Sequence, residues 1–275
     1  MNLKDAIFLI TGLHGEQPSS GRLYLMALVI FFVGAAFIFY LRTLSAQRTK
    51  EFYGSLGVSL KKIAKTAHEM ERKTFHLMGL LVPILYEYLM RYHRWTQLEY
   101  STLCWTITTM VWVADSVRVL LPNSMTYFPY SLLSRIIRDK ERHQLSGTSY
   151  FGLGCTLVIS FFPPAVAIVS IMWLVLGDMS AALIGVSIGG ETVALKMGRE
   201  GKKSAEGSIA MFISCFTIGM AAFAETRLAE YAICIGALVA TFTELYEPFG
   251  LNDNITIPVV SCFALQWALS RIENC

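Results

Sequence analysis

The chain has 275 residues and a formal charge of +3, from 23 Lys and Arg against 20 Asp and Glu, and it is 54% hydrophobic but only 16% charged. Soluble domains carry roughly 25% charged residues, and here the apolar residues lie in long blocks instead of at helical or strand periods, which excludes an ordinary soluble domain. The near balance of charge gives no reason to expect a nucleic-acid partner.

A helix that crosses a bilayer needs about 20 mainly apolar residues. Leu23–Leu41 reaches that length without one charged side chain. No basic region with a short apolar core and small-residue cleavage site comes before it, so it is expected to be a retained first span and not a signal peptide. No Arg- and Ser-rich transit segment precedes it either. The further predicted spans are Phe75–Met90, Tyr100–Leu121, Tyr150–Phe162, Ala165–Gly189, Gly207–Phe223, Ala229–Tyr246 and Ile255–Leu269. That makes about eight by hydropathy. Phe161-Phe162-Pro163-Pro164 predicts a tight turn between two of them. The expected fold class is an all-α polytopic membrane helix bundle. With no internal repeat, low-complexity tract or linker, residues 1–22 read as an N-terminal lumenal segment and 23–275 as one membrane-embedded domain.

Eight spans with the N-terminus outside put the basic residues on one side. Only Lys4, Arg22, Arg91, Arg94, Arg227 and Arg271 of the 23 Lys and Arg then lie on the lumenal face. The positive-inside rule expects such a bias. Two cytosolic segments read as amphipathic helices lying in the headgroup plane. In 51–73, Leu56, Leu60, Ile63, Ala67 and Met70 share a face; in 131–143, Leu132, Leu133, Ile136 and Ile137 do so beside Arg135, Arg138 and Arg142. Anchoring to anionic lipid is the simple account of most of these cations.

Polar groups within spans are costly and usually face a cavity or a partner. Those at the cytosolic ends of the predicted spans converge. Arg72, Lys73 and His76 open the second span, and Asp115 and Arg118 close the third, three residues apart on one helix face. Arg142 and His143 precede Ser146-Gly147-Thr148, and Asp178 lies in the inner half of the fifth span. GREGKKSAEGS (198–208) leads into the sixth, with Lys202, Lys203 and Ser204 at its centre. Glu244, Glu247, Asp253 and Asn254 gather around the end of the seventh.

Many cations, a few carboxylates and a glycine-rich basic loop before a helix suit an anionic substrate with a divalent metal ion, because helix N-termini favour anions and carboxylates hold Mg²⁺ against phosphates. Plainer readings stay open: Asp115 and Arg118 as mutual neutralisers, Glu244 and Glu247 as surface groups, Lys202 and Lys203 as topology signals. The loop is not a nucleotide P-loop. GxxxxGK[ST] would need glycine where Lys196 stands, and an extra lysine separates Gly201-Lys202 from Ser204. The six cysteines show no CxxC pair or zinc spacing and read as buried free thiols.

In the stretch WLVLGDMSAALIGVSIGG (173–190), Gly177, Ala181, Gly185 and Gly189 recur every four residues, a small-residue stripe that lets another backbone approach. Packing gives no reason for Asp178 beside that stripe, and an unpaired buried carboxylate is expensive. A functional role is therefore expected for it.

The ordered series ERKTFH, ADSVR, LSGTSYFGLG, LGDMSAALIGVSIGG, GKKSAEGS and DNITIPVV resembles the CTP-dependent lipid kinases: fungal-type diacylglycerol kinase, dolichol kinase, and phytol and farnesol kinases. The likeness runs from about residue 68 to 260. It implies phosphoryl transfer from CTP, with Mg²⁺ or another divalent cation, to the hydroxyl of a membrane lipid. It places the family's basic pair on Arg72 and Lys73, its core acid on Asp178 and its following glycine on Gly185. The GK-S-x-x-G-S element falls on Gly201–Ser208 with one inserted lysine, so Lys202 and Lys203 compete for one role. The Asp-Asn-x-x-x-Pro element falls on Asp253, Asn254 and Pro258.

On that basis Asp178, Arg72 and Lys73 are the expected catalytic residues. Arg118, Arg142, Gly185, Lys202, Lys203 and Ser204 are the expected nucleotide and phosphate contacts, and Asp178 and Asp253 the expected metal ligands. His76 or His143 would assist proton transfer. The compact length and missing transit segment favour a diacylglycerol acceptor over dolichol or phytol. The resemblance also implies an endoplasmic reticulum or nuclear-envelope membrane with the active site facing the cytosol, where the formal glycosylation sequon Asn254-Ile255-Thr256 stays bare.

The alternatives are a polyprenol or dolichol kinase, a CTP:phosphatidate cytidylyltransferase and a transporter. No HGGxxDRxD-like motif near the C-terminus supports the cytidylyltransferase. A transporter with an interrupted helix predicts inverted repeats and polar groups at the midplane, and the sequence has neither feature.

Overall fold

The computed structural model describes residues 77–121, 143–187, 196–198, 203–224 and 228–273, with Val29, Phe32 and Thr226. Most of the predicted first span and the two interfacial segments fall outside them.

Each helix boundary has a local chemical cause. Helix α1 covers Leu81–His93 and α2 Gln97–Leu120. Thr96 caps α2: its hydroxyl accepts from Glu99 N at 3.2 Å, and the Glu99 carboxylate accepts from Thr96 N at 2.7 Å, the reciprocal capping box. Helix α3, Gly147–Phe161, starts three residues before the expected Tyr150, because the polar Ser-Gly-Thr stretch forms its first turn. It ends at the predicted turn, and Pro164 opens α4, Pro164–Met172, at the position where a missing N–H is harmless. Gln97 Nε2 ties this corner to α2 through the carbonyls of Ile159, at 2.8 Å, and Phe162, at 2.9 Å.

A π-helical turn, Trp173–Gly177, joins α4 to α5, Asp178–Ser187, without a break in the span. Two strands follow, β1 (Lys196–Met197) and β2 (Lys203–Ser204), paired antiparallel with Lys196 opposite Ser204 and Met197 opposite Lys203. The hydropathy pattern carries no sign of this short ladder; the other described elements are helical. Helices α6 (Ala205–Ala222), α7 (Ala229–Tyr246) and α8 (Asp253–Glu273) complete the order, with a 3₁₀ turn at Pro248–Gly250.

Among the described residues, five helices are long and apolar enough to cross a membrane: α2, the continuous α4–α5 (Pro164–Gly185), α6, α7 and α8. Helix α3 is apolar but shorter. The α4–α5 span is the axis of the bundle, since 72% of its most apolar stretch is enclosed, against 22% for α2. It packs on α3, α6, α7 and α8, while α2 lies outside against α3.

Helix α2 shows the inverted pattern of a lipid-exposed helix. Leu98, Ile107, Met110, Val113 and Leu120 are exposed, while Ser101, Thr108, Asp115 and Arg118 point inward. In water such a large exposed apolar surface would be a liability; in a bilayer the polar groups are the ones that must be enclosed.

Glycines set the close crossings. A Cβ on Gly236 would lie 2.6 Å from Cη2 of Trp173, and one on Gly219 would lie 3.3 Å from its Cζ2. Between these two glycines the fully buried indole wedges against α6 and α7, and its Nε1 donates to the Cys215 carbonyl at 2.7 Å. The predicted stripe on 177–189 is seen at its described positions. Gly177 meets Cys215 and Met211, the Ala181 carbonyl meets Gly207, and Gly185 faces Gly207 and the Ser204 hydroxyl.

Candidate functional site

The polar end of the bundle is built from elements far apart in sequence. Asp178 follows the π turn directly and is 7% exposed. A π turn accommodates one residue more than an α turn, which rotates the following side chains around the helix. The pinned Trp173 fixes where that rotation takes place.

Lys203, on β2, reaches the last turn of α7. Its ammonium donates to Glu244 Oε1 at 2.5 Å and to the Glu244 carbonyl at 2.9 Å, and Glu247 Oε1 lies 3.4 Å away. Asp178 and Asp253 both act electrostatically on Lys203 and on Glu244. Burial alone would lower the pKa of the Lys203 ammonium; the Glu244 charge and hydrogen bond, then Asp253 and Asp178, outweigh it and hold the pKa above its usual 10.5. Lys203 thus contacts Glu244 and Glu247 directly and lies within the electrostatic reach of Asp178 on α5 and Asp253 on α8.

Asp253 opens α8, where its Oδ1 and that of Asn252 each accept from Asn254 N at 3.0 Å. An acid in the first turn suits the positive end of the helix. Asn254 Nδ2 donates to the Gly147 carbonyl at 3.0 Å and ties α8 to the start of α3; its Oδ1 is buried without a hydrogen-bond partner. Pro258 has no N–H to offer the Asn254 carbonyl. Gly154 of α3 occupies that place, and any Cβ there would run into the Asn254 carbonyl.

Two residues expected at phosphates have visible structural work. Ser204 is the N-cap of α6: its hydroxyl accepts from Gly207 N at 3.2 Å, which satisfies one of the open donors of the first turn. Gly185 lets α5 and α6 cross, since a Cβ there would meet the Ser204 hydroxyl at 3.1 Å. The motifs around Asp178 and Ser204 therefore interlock physically, and Ala181 and Gly207 share the same seam.

Asp115 and Arg118 form a second cluster. Asp115 Oδ1 accepts from Arg118 Nε at 2.7 Å, and its Oδ2 accepts from Ser146 N at 2.6 Å and Ser149 Oγ at 2.7 Å. Arg118 Nη2 donates to the Gln144 carbonyl at 2.7 Å, and the residue is 3% exposed. The pair does neutralise itself, and it also clamps the chain entering α3. The guanidinium fork serves here to join the Asp115 carboxylate to the main chain at Gln144.

His143 is exposed in the turn before α3. Arg72, Lys73, His76, Arg142 and Lys202 lie outside the described residues. In the sequence Glu244 is one of several acids around the end of the seventh predicted span. Its position as the hub for Lys203 depends on a contact across 41 residues of sequence, which periodicity does not reveal.

No three His, Cys, Asp or Glu side chains among the described residues form a ready-made metal cage. The donor chemistry nevertheless fits a hard divalent cation. The described groups carry an excess of carboxylate over ammonium, and Mg²⁺ is commonly held by one or two carboxylates together with substrate phosphates.

The fold and these groups define a polytopic membrane protein whose bundle gathers acids and a lysine at one end. No family model matches the chain, and no solved structure matches it. It is 30% identical over 205 residues to an uncharacterized protein of Rickettsia prowazekii, covering 71% of this chain and 92% of that one. It is 29% identical over 236 residues to CTP-dependent diacylglycerol kinase 1 of Saccharomyces cerevisiae, covering 76% of each chain. The protein of the same name in Schizosaccharomyces pombe is 26% identical over 146 residues, covering 49% of this chain and 65% of that one. The chain belongs to the CTP-dependent lipid kinase family, and it is an enzyme.

Proposed function

We propose that the protein transfers the terminal phosphoryl group of CTP to the hydroxyl of diacylglycerol, giving phosphatidate and CDP at the cytosolic face. The observation that carries this reading is the convergence of Asp178, Lys203, Glu244 and Asp253 from four separate segments at one end of the bundle. The names of the fungal relatives support both the donor and the acceptor. A multi-pass endoplasmic reticulum or nuclear-envelope location belongs to the same reading, and the positive bias of the predicted cytosolic loops supports its orientation.

In the proposed reaction the lipid oxygen attacks the terminal phosphorus. The bond from that phosphorus to the bridging oxygen breaks, its electron pair leaves with CDP, and the hydroxyl proton passes to a nearby base. Such chemistry depends chiefly on positioning and charge neutralisation. Lys203, with Arg72 and Lys73, would bind phosphate oxygens; Lys202 and Arg142 are further cations for the same anion. Asp178 and Asp253 would hold the divalent ion, which would supply charge neutralisation across the phosphates. Asp178 would alternatively orient the lipid hydroxyl, with His76 or His143 receiving its proton.

The deciding assay uses purified protein in mixed micelles and crosses CTP and ATP with diacylglycerol, dolichol, phytol and farnesol. The expected product is phosphatidate with CDP from the CTP and diacylglycerol pair. Preferential phosphorylation of dolichol or another polyprenol would replace the acceptor, and CDP-lipid with pyrophosphate would mark a cytidylyltransferase instead. Flux through liposomes without nucleotide would point to a transporter.

A further inference from the structure

The geometry points to Glu244 as the residue that aims Lys203 at the nucleotide phosphates, a positioning role that makes Lys203 the working lysine of the Lys202-Lys203 pair. This inference rests on the proposed phosphate contact of Lys203.

A lysine ammonium has three donors on a long flexible stem and by itself holds no fixed direction. Glu244 takes two of those donors through two different atoms, its side-chain Oε1 and its own carbonyl. Because the carbonyl belongs to the last turn of α7, the ammonium is fixed to a rigid element and not only to a mobile carboxylate. Glu244 is 4% exposed, so its charge has little screening by water. The third donor is left for Glu247, at 3.4 Å on a half-exposed side chain, or for an incoming phosphate oxygen.

A second contact seats the same loop on the same turn. Gly198 has φ +84°, and a Cβ there would stand 2.8 Å from the Leu245 carbonyl and 3.1 Å from Cγ of Lys203. Gly198 and Lys203 are thus registered on Leu245 and Glu244, and the Met197–Lys203 pair links the two strands beside them. Glu247, which closes α7, adopts φ 44°, a left-handed conformation that costs a non-glycine residue energy. It brings a second carboxylate to Lys203. Simple neutralisation would need neither the backbone contact nor the shared seat. Holding a charged donor in advance of substrate is what both arrangements achieve.

The test is a double-mutant cycle on the full-length protein with CTP and diacylglycerol in mixed micelles. Lys203→Met and Glu244→Gln are each expected to lower kcat/KM for CTP by roughly 30-fold or more, the scale of breaking a buried charged hydrogen bond. The KM for diacylglycerol should stay unchanged. The double variant should be no worse than Lys203→Met alone, because Glu244 acts through that lysine. Glu244→Asp, which keeps the charge one methylene shorter, should recover part of the loss.

If Lys203→Met is fully active, the phosphate reading of Lys203 fails and the inference goes with it. If Lys203→Met is impaired but Glu244→Gln is not, or if the two losses multiply, only the role of Glu244 is overturned. A rise in both Michaelis constants would also overturn it, as the mark of a merely structural residue. Should Glu244→Gln not yield monodisperse protein, the same cycle run with Glu244→Asp decides by the same criteria.

Discussion

The indole Nε1 of Trp173 donates to the carbonyl of Cys215 at 2.7 Å, which pins the π turn that presents Asp178 to the middle of α6. Trp173 is fully buried against Gly219 and Gly236, so its position is set by shape as well as by the hydrogen bond.

Replacing Trp173 by Phe removes the donor and leaves a buried carbonyl with one partner fewer. A loss of about 1–3 kcal/mol is expected for an unsatisfied buried group, toward the lower end because hydrogen bonds within membrane bundles average about 0.6 kcal/mol. Gly236→Ala is expected to do more harm, since its Cβ would lie 2.6 Å from the ring. Thermal unfolding in detergent measures both, and a Gly236→Ala protein as stable as the parent would contradict this packing.

Asp178→Asn keeps the size and removes the charge. Kinase activity is expected to fall by about 100-fold or more, the scale seen when one preorganised electrostatic group is removed from a site, while the protein stays folded. Near-normal phosphorylation of diacylglycerol by purified Asp178→Asn would remove Asp178 from the mechanism.

Asp115→Asn and Arg118→Lys should damage stability before they damage CTP recognition. Breaking one side of a buried pair leaves an uncompensated charge and costs roughly 3–5 kcal/mol. Lysine is no substitute here, because Arg118 uses Nε for Asp115 and Nη2 for the Gln144 carbonyl. The expected outcome is a lowered melting temperature in both variants, with an unchanged KM for CTP in whatever folded protein remains. A selective rise in that KM at full stability would instead support direct phosphate contact by Arg118.

Lys203 sets an alkaline limit. Its folded pKa is raised above the usual 10.5, so its ion pair contributes full stability below the unfolded value and loses that contribution as pH rises through the folded one. Stability should therefore be insensitive to this group between neutrality and about pH 10. Unfolding followed against pH should show a decline above that range which is smaller in Lys203→Met. An identical decline in parent and variant would dissociate it from Lys203.

Much of the bundle was legible because membrane spans announce themselves by composition. The helix Ala229–Tyr246 has the bounds expected for it, and the Phe161–Pro164 turn lies where two prolines must interrupt a helix. Boundaries slipped where polar residues belong to a helix end. Gly147 and Asp253 start their helices upstream of the apolar run because Ser146 and Asn252 lead into the first turns. The ladder of Lys196–Met197 with Lys203–Ser204 was not legible, since two residues per strand carry no period.

The site was legible as a list and not as an arrangement. Asp178 stood out because an acid in an apolar run has a solvation cost that only partners or function can offset. Ser204 and Gly185 were expected at phosphates only through the family resemblance, and the structure finds in them a helix cap and a close crossing. Glu244 stood out least, among other acids near a helix end, although it holds the lysine.

The sequence by itself determined that this chain is a membrane helix bundle with its polar groups crowded at one end, because transfer into lipid is governed by residue type and run length alone. Only the tertiary structure decided which of those groups meet. Asp115 closes on Ser146 and Ser149, Asn254 on Gly147, and Lys203 on Glu244. Hydrogen bonds and ion pairs act over a few ångströms between atoms, and that distance is fixed by how helices cross, not by the spacing of residues along the chain.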